Sequence, residues 1–150
     1  MLFPLHHIGF LVKDVSLAAS DFVSRLGYVI DSEVIEDPVQ TAFVQFLRQP
    51  GASHWLELVM PNGPESKLLG ALQKGGGLHH LCYEVEDIAQ ACEHMRSRSM
   101  LMIARPVPAV AFPGRRIAWF MDRSNFLLEL LEAGEGPLSL RHGAARSCHG

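Results

Sequence analysis

A ten-residue stretch near the start of this chain returns 73 positions later. His6-His7-Ile8-Gly9-Phe10-Leu11-Val12-Lys13-Asp14-Val15 is answered by His79-His80-Leu81-Cys82-Tyr83-Glu84-Val85-Glu86-Asp87-Ile88. The match continues without a gap through Ala18/Ala91, Ser24/Ser97, Arg25/Arg98 and Ile30/Ile103. Each half then ends on an apolar strand that holds one carboxylate, Trp55-Leu56-Glu57-Leu58-Val59 and Phe126-Leu127-Leu128-Glu129-Leu130. A chain built this way must fold as two similar modules, and each module offers one His and one Glu from strands.

The order of elements follows from periodicity and punctuation. Residues 5–12 alternate as a strand. Asp14 or Ser16 caps a helix over about 16–26, and Gly27 suits its left-handed end. Strands are expected at about 28–35, 40–48 and 54–60, with a hairpin turn at Gln49-Pro50-Gly51-Ala52-Ser53. Pro61-Asn62-Gly63-Pro64 breaks the chain, and a short helix over 65–74 ends at Gly75-Gly76-Gly77. The second module predicts strand 79–85, helix 88–98 and strands near 100–104, 116–121 and 126–132. The Pro-rich stretch from Arg105 to Gly114 reads as a covering loop. After Ala133 the composition turns to Gly, Ser, Arg and His, so 134–150 is expected to be a flexible C-terminal tail. The fold class is therefore α+β: two tandem βαβββ modules forming a curved mixed sheet around a metal-binding cleft. Module 1 covers about 5–61, a linker helix region 62–77, and module 2 about 78–133.

Composition excludes several classes. A net charge of −3 with no basic stripe gives no footprint for nucleic acid. The apolar runs fall far short of the ~20 residues that span a bilayer, so no membrane partner is expected. Met1-Leu2-Phe3-Pro4-Leu5 lacks a charged leader and enters a strand pattern at once, so no signal peptide is expected. Cys82, Cys92 and Cys148 are odd in number and lack C-x-x-C spacing. That speaks against a disulfide framework and fits a cytoplasmic protein.

The His and Glu positions carry the chemistry. Neighbours in a strand face opposite sides, so one His of each pair is expected to face the cleft; alternation alone leaves open which. Glu57 and Glu129 sit among apolar neighbours, where a carboxylate is costly to bury unless paired or on a metal. Two imidazoles and two carboxylates neutralise a divalent ion and suit Zn²⁺, Co²⁺, Ni²⁺, Mn²⁺ or Fe²⁺. Any one of these residues taken alone is more often a hydrogen-bonded or solvated strand residue than a ligand. Their recurrence as a set favours the metal.

The arrangement over about 5–133 resembles the vicinal oxygen chelate superfamily, which includes glyoxalase I, methylmalonyl-CoA epimerase, extradiol dioxygenases and bleomycin-resistance proteins. The nearest resemblance is to methylmalonyl-CoA epimerases. It rests on Glu57-Leu58-Val59-Met60-Pro61, Ser66, Leu72-Gln73-Lys74, Gly77-Leu78-His79-His80, Glu84-Val85-Glu86-Asp87-Ile88, Pro113-Gly114-Arg115-Arg116-Ile117-Ala118-Trp119-Phe120 and Leu128-Glu129-Leu130. The resemblance implies one divalent metal ion (Co²⁺, Ni²⁺, Zn²⁺ or Mn²⁺) held by His7, Glu57, His80 and Glu129. It implies Glu129 as the base that moves a proton beside an acyl-thioester carbonyl, and a homodimer. Arg115 and Arg116 are candidate contacts to a CoA phosphate or a substrate carboxylate.

Two stretches depart from the family pattern. Some epimerases carry a second acidic base on the strand before the hairpin. Here Val39-Gln40-Thr41-Ala42-Phe43-Val44-Gln45-Phe46-Leu47 has no carboxylate, which leaves water or Gln45 for the opposite face. The usual Gly-x-Gly-Gly-Lys stretch is the more apolar Val110-Ala111-Phe112-Pro113-Gly114-Arg115, which implies a changed acyl group. A glyoxalase I-like lyase has the same ligand set and is the alternative enzyme. A non-catalytic small-molecule binding or resistance protein is the alternative outside catalysis, although such proteins commonly lack the ligands.

Overall fold

A computed structural model describes residues 1–140. Two compact units emerge: Ile8–His79 forms one, and Met1–His7 with His80 onward forms the other. The division falls inside two strands, so the stretch up to His7 groups with the second sequence module.

In the Ile8–His79 unit, helix α1 (Val15–Leu26) starts at Asp14, whose carboxylate accepts from Leu17 N–H at 3.0 Å. It ends at Gly27 in the left-handed region at φ 73°. Both caps satisfy backbone groups that a helix end leaves open. β1 (Leu5–Leu11) is followed after α1 by β2 (Val29–Ile30), β3 (Ile35–Asp37), β4 (Ala42–Arg48) and β5 (Trp55–Pro61). β2 and β3 both pair with β4, and β4 is antiparallel to β5. The single strand expected at 28–35 is thus divided. Ser32 Oγ accepts from Phe46 N–H at 2.9 Å, so a side chain replaces a ladder carbonyl there. Leu47 and Leu58 pack under α1 with Val15 and Ala19. The linker helix α2 is short (Leu69–Gln73), because Glu65–Leu68 is a turn held by Ser66 Oγ–H donating to Thr41 O at 2.7 Å. After it, Gly76 at φ 64° comes so near Leu11 O that a Cβ would lie 2.7 Å from that oxygen. That explains a glycine at this point.

The other unit repeats the plan. β6 (Gly77–Val85) leads to α3 (Ile88–Ser97), β7 (Leu101–Pro108), β8 (Arg116–Met121) and β9 (Leu127–Glu132). Asp87 caps α3 by accepting from Gln90 N–H at 3.0 Å. β6 runs parallel to β9, and β8 is antiparallel to both β9 and β7. Under α3 lie Val85, Ala118, Phe120 and Leu130. β7 extends past the expected 104 through Pro106 and Pro108, so the Pro-rich loop begins later. β7 is the last strand of this arc, where a missing N–H costs no ladder bond, and its register with β8 slips twice. The segment expected to open a flexible tail is packed as far as it is described: Leu138 and Ser139 are buried. Positions 141–150, with His142, Cys148 and His149, lie outside the described residues.

Candidate metal centre

β6, β8 and β9 decide which side chains share a face. Cys82 and Trp119 stand opposite Glu129 in register, whereas Leu130, Ala118 and Phe120 turn to α3. By alternation His80 shares the Glu129 face. His7 and His80 are 0% and 2% exposed, and Glu129 is 5% exposed. His7 Nε2 lies 3.1 Å from His80 Nε2 and 3.2 Å from Glu129 Oε1. Three of the four expected ligands therefore converge within one unit, and the two histidines among them are the second of each pair.

The first pair departs from strand alternation. His6 and His7 do not separate to opposite faces; their Nδ1 atoms are 2.8 Å apart and the rings meet edge to face. His6 Nε2 lies 2.6 Å from the Leu138 carbonyl oxygen. A carbonyl only accepts, so His6 Nε2 carries the proton. Burial first, then the neighbouring His7, push the His6 imidazole down to about 3, so it is neutral near pH 7. Its Nδ1 is then bare and accepts from His7 Nδ1–H. With its proton on Nδ1, the neutral form of His7 turns an unprotonated Nε2 towards His80 and Glu129.

This geometry fits a metal. Donor atoms sharing one ion at about 2.1 Å stand roughly 3.0–3.4 Å apart in octahedral or tetrahedral arrangements. The spacings at His7 Nε2 fall in that range, and the donor set is two imidazoles with a carboxylate. Cys82 Sγ also lies within 4.8 Å of ring nitrogens of His6 and His7. The Nδ1 atoms of that group already bond each other, so the donors facing Glu129 make the better site.

The remaining expected residues are placed as follows. Glu57 is buried on β5 opposite Phe46, on the face of that sheet away from α1. Gln45 is opposite Leu58, on the α1 side, with its amide donating to Ser32 O at 3.1 Å. It lines a groove beside Ser16, Ala19 and Ser20 of α1. The strand has apolar residues on both faces, which hid this in the sequence. Arg115, expected to meet a phosphate or carboxylate of substrate, is instead 4% exposed and held internally. It donates to Glu84 Oε2 at 3.0 Å, Glu132 O at 2.6 Å and Leu138 O at 3.4 Å. Burial lowers its pKa while Glu84 opposes the shift. Arg116 is the exposed neighbour, bonded to Glu132 at 2.8 Å.

Sequence reasoning assigned none of the following contacts to the histidines. Phe112 stacks on His7 and meets His6 edge on, at centroid distances of 6.0 and 5.3 Å. Trp119 meets His80 edge on at 4.9 Å. The buried Trp119 Nε1–H has no acceptor among the described residues. Glu84 had a usable signal, since His80, Cys82 and Glu84 recur at period two on one strand face. Leu138 had none, because its contribution is a backbone carbonyl.

This combination of a duplicated module and His/Glu donors defines a scaffold with a candidate metal site, and comparison supplies its family. Residues 6–119 match the Glyoxalase/Bleomycin resistance protein/Dioxygenase superfamily, and the chain belongs to that superfamily. Within it, the chain is similar to an ethylmalonyl-CoA/methylmalonyl-CoA epimerase from Cereibacter sphaeroides, with 29% identity across 87% of this chain and 98% of the relative. It is also similar to the mitochondrial methylmalonyl-CoA epimerase of Homo sapiens, at 30% identity over 86% of this chain and 73% of the relative. The crystal structure of methylmalonyl-CoA epimerase from Mycobacterium tuberculosis superposes with a TM-score of 0.79 at 24% identity, covering 88% of this chain and 89% of that one, and so shares the fold. No helix among the described residues is long and apolar enough to cross a membrane.

Proposed function

We propose that this chain is a divalent-metal-dependent isomerase of the methylmalonyl-CoA epimerase type, moving the proton on a carbon next to an acyl-thioester carbonyl. The convergence of His7 Nε2, His80 Nε2 and Glu129 Oε1 carries this reading, and the epimerase relatives support its reaction class. His7 and His80 supply neutral donors, and Glu129 supplies a carboxylate. Glu57 is the fourth donor by its place in the sequence repeat. When bound, the ion supplies Lewis acidity that draws electron density towards the substrate carbonyl oxygen.

The chain's own groups do the rest. The Glu129 carboxylate accepts the α-proton as the C–H electron pair moves towards the carbonyl. Return of that proton from Glu129 to the same face regenerates the substrate, whereas delivery of a proton from water to the opposite face inverts the centre, after which Glu129 releases its proton to solvent. Phe112 and Trp119 shield the rings from water. Arg116, half exposed, is the arginine that can exchange its partner Glu132 for a phosphate.

The test is proton NMR of the metal-loaded protein with methylmalonyl-CoA in D₂O, after metal analysis. The α-proton signal should disappear with enzyme. Glu129→Gln, checked for bound metal, should slow this by about 10²–10⁴-fold, the usual worth of a general base. Bound metal without exchange sinks the substrate assignment.

A further inference from the structure

The reaction proposed above gives no task to the first histidine of the pair, yet His6 is as deeply enclosed as His7. We infer that His6 is a positioning residue: anchored on the Leu138 carbonyl, it fixes His7 in the tautomer whose Nε2 lone pair is available to a metal. This rests on His7 being a ligand, as proposed above.

The argument follows from where protons must sit. Leu138 O can only accept, which places a proton on His6 Nε2 at 2.6 Å. In a neutral imidazole the other nitrogen is then an acceptor. His6 Nδ1 is 2.8 Å from His7 Nδ1, so the latter carries the proton between them. In a neutral His7 the Nε2 is then unprotonated, 3.1 Å from His80 Nε2 and 3.2 Å from Glu129 Oε1. Along Leu138 O, His6 and His7, reversing either neutral ring would set two N–H groups or two lone pairs against each other, whereas the lone pairs of His7 Nε2 and Glu129 Oε1 face each other as two donors to one cation would.

The anchor is itself held. Leu138 has φ 60°, a left-handed conformation that a leucine adopts only when its surroundings impose it. Arg115 also donates to the same carbonyl and is tied to Glu84. Ser139 Oγ–H donates to Gly134 O at 2.6 Å, closing the turn that carries Leu138. The segment after β9 therefore presents one carbonyl to one histidine. Support of this kind on the far nitrogen of a ligand histidine typically changes metal affinity 10–100-fold.

The test uses the full-length protein labelled with ¹⁵N-histidine, read by long-range ¹H–¹⁵N correlation without metal. Zn²⁺ affinity is then measured by competition with a chromophoric chelator. Wild type should show His6 protonated at Nε2 and His7 at Nδ1. His6→Leu removes the acceptor; His7 should shift towards Nε2–H, and Zn²⁺ affinity should fall about 10–100-fold. His6→Asn keeps an oxygen near the position of ring Nδ1, so His7 should retain its tautomer and affinity to within a few-fold. A wild-type His7 carrying its proton on Nε2 overturns the inference, and this reading needs no variant to fold. Equal affinity in wild type and a folded His6→Leu overturns it too. The predicted tautomers in a wild-type protein that binds no divalent ion would support the relay and sink the metal reading instead.

Discussion

The two halves of the chain share a plan and differ at their histidines. In both, an aspartate caps the helix, through Asp14 to Leu17 N–H and Asp87 to Gln90 N–H, each at 3.0 Å. In both, the leucine after the key glutamate is fully buried beneath that helix: Leu58 under α1 and Leu130 under α3. The ligand strands then part ways. His80 sits on β6 with a half-buried neighbour, His79. His7 sits on β1 beside a fully enclosed His6 that reaches Leu138 O. Both halves keep what folding needs, and the segment after the second module sets the Leu138 carbonyl against His6, beside the candidate ligand His7. Core and cap positions should therefore respond alike in the two halves.

The largest expected effect tests the cores. Leu58→Ala and Leu130→Ala each remove a side chain with no solvent exposure, and each should cost about 2–5 kcal/mol of stability. Urea unfolding followed by fluorescence and by circular dichroism would check both. Losses within about 1 kcal/mol of each other, with coincident transitions, sustain the equivalence of the halves. Separate transitions in one variant would break it and show a half that melts alone.

The caps provide a finer version of the same comparison. Asp14→Ala and Asp87→Ala each delete one side-chain acceptor at an exposed helix start, which should cost about 1 kcal/mol. Asparagine at either position should recover most of the loss. A markedly larger cost at Asp87 would mean that α3 depends on its cap more than α1 does. α1 closes on the left-handed Gly27 at φ 73°, whereas α3 closes through Arg98 and a left-handed Ser99 at φ 65°, a conformation that costs a serine more than a glycine.

These equivalences were legible because they are local. The helix starts, the Gly27 stop and the apolar stripes follow from residue types and spacing. The pairing of His7 with His80 and Glu129 followed from the repeat. What escaped the sequence depends on contacts distant in the chain or on backbone atoms. Ser32 Oγ dividing a strand, Pro106 surviving on an edge, and Leu138 O anchoring His6 leave no periodic trace. Gln45 escaped for another reason. Phe43 and Leu47 on its face are as apolar as Val44 and Phe46 on the other, so alternation could not say which side faces the helix.

The smallest effect separates two adjacent arginines. Arg115 is enclosed, and its partner Glu84 is as buried as it is. Arg116 is half exposed and bonded to Glu132. Hydrogen bonding to Arg116 holds the Glu132 carboxyl below the usual carboxylate range. The pair's contribution to stability is therefore present above about pH 4.5 and is lost as pH falls through the lower folded value of Glu132. Arg116→Gln should raise the Glu132 pKa towards the ordinary range, read by carboxyl NMR titration, with little change in stability near neutrality because the pair is solvated. An unmoved Glu132 titration would mean that other groups hold its charge. A large stability loss at neutral pH would show Arg116 to be structural like Arg115, and so unable to exchange Glu132 for a substrate phosphate.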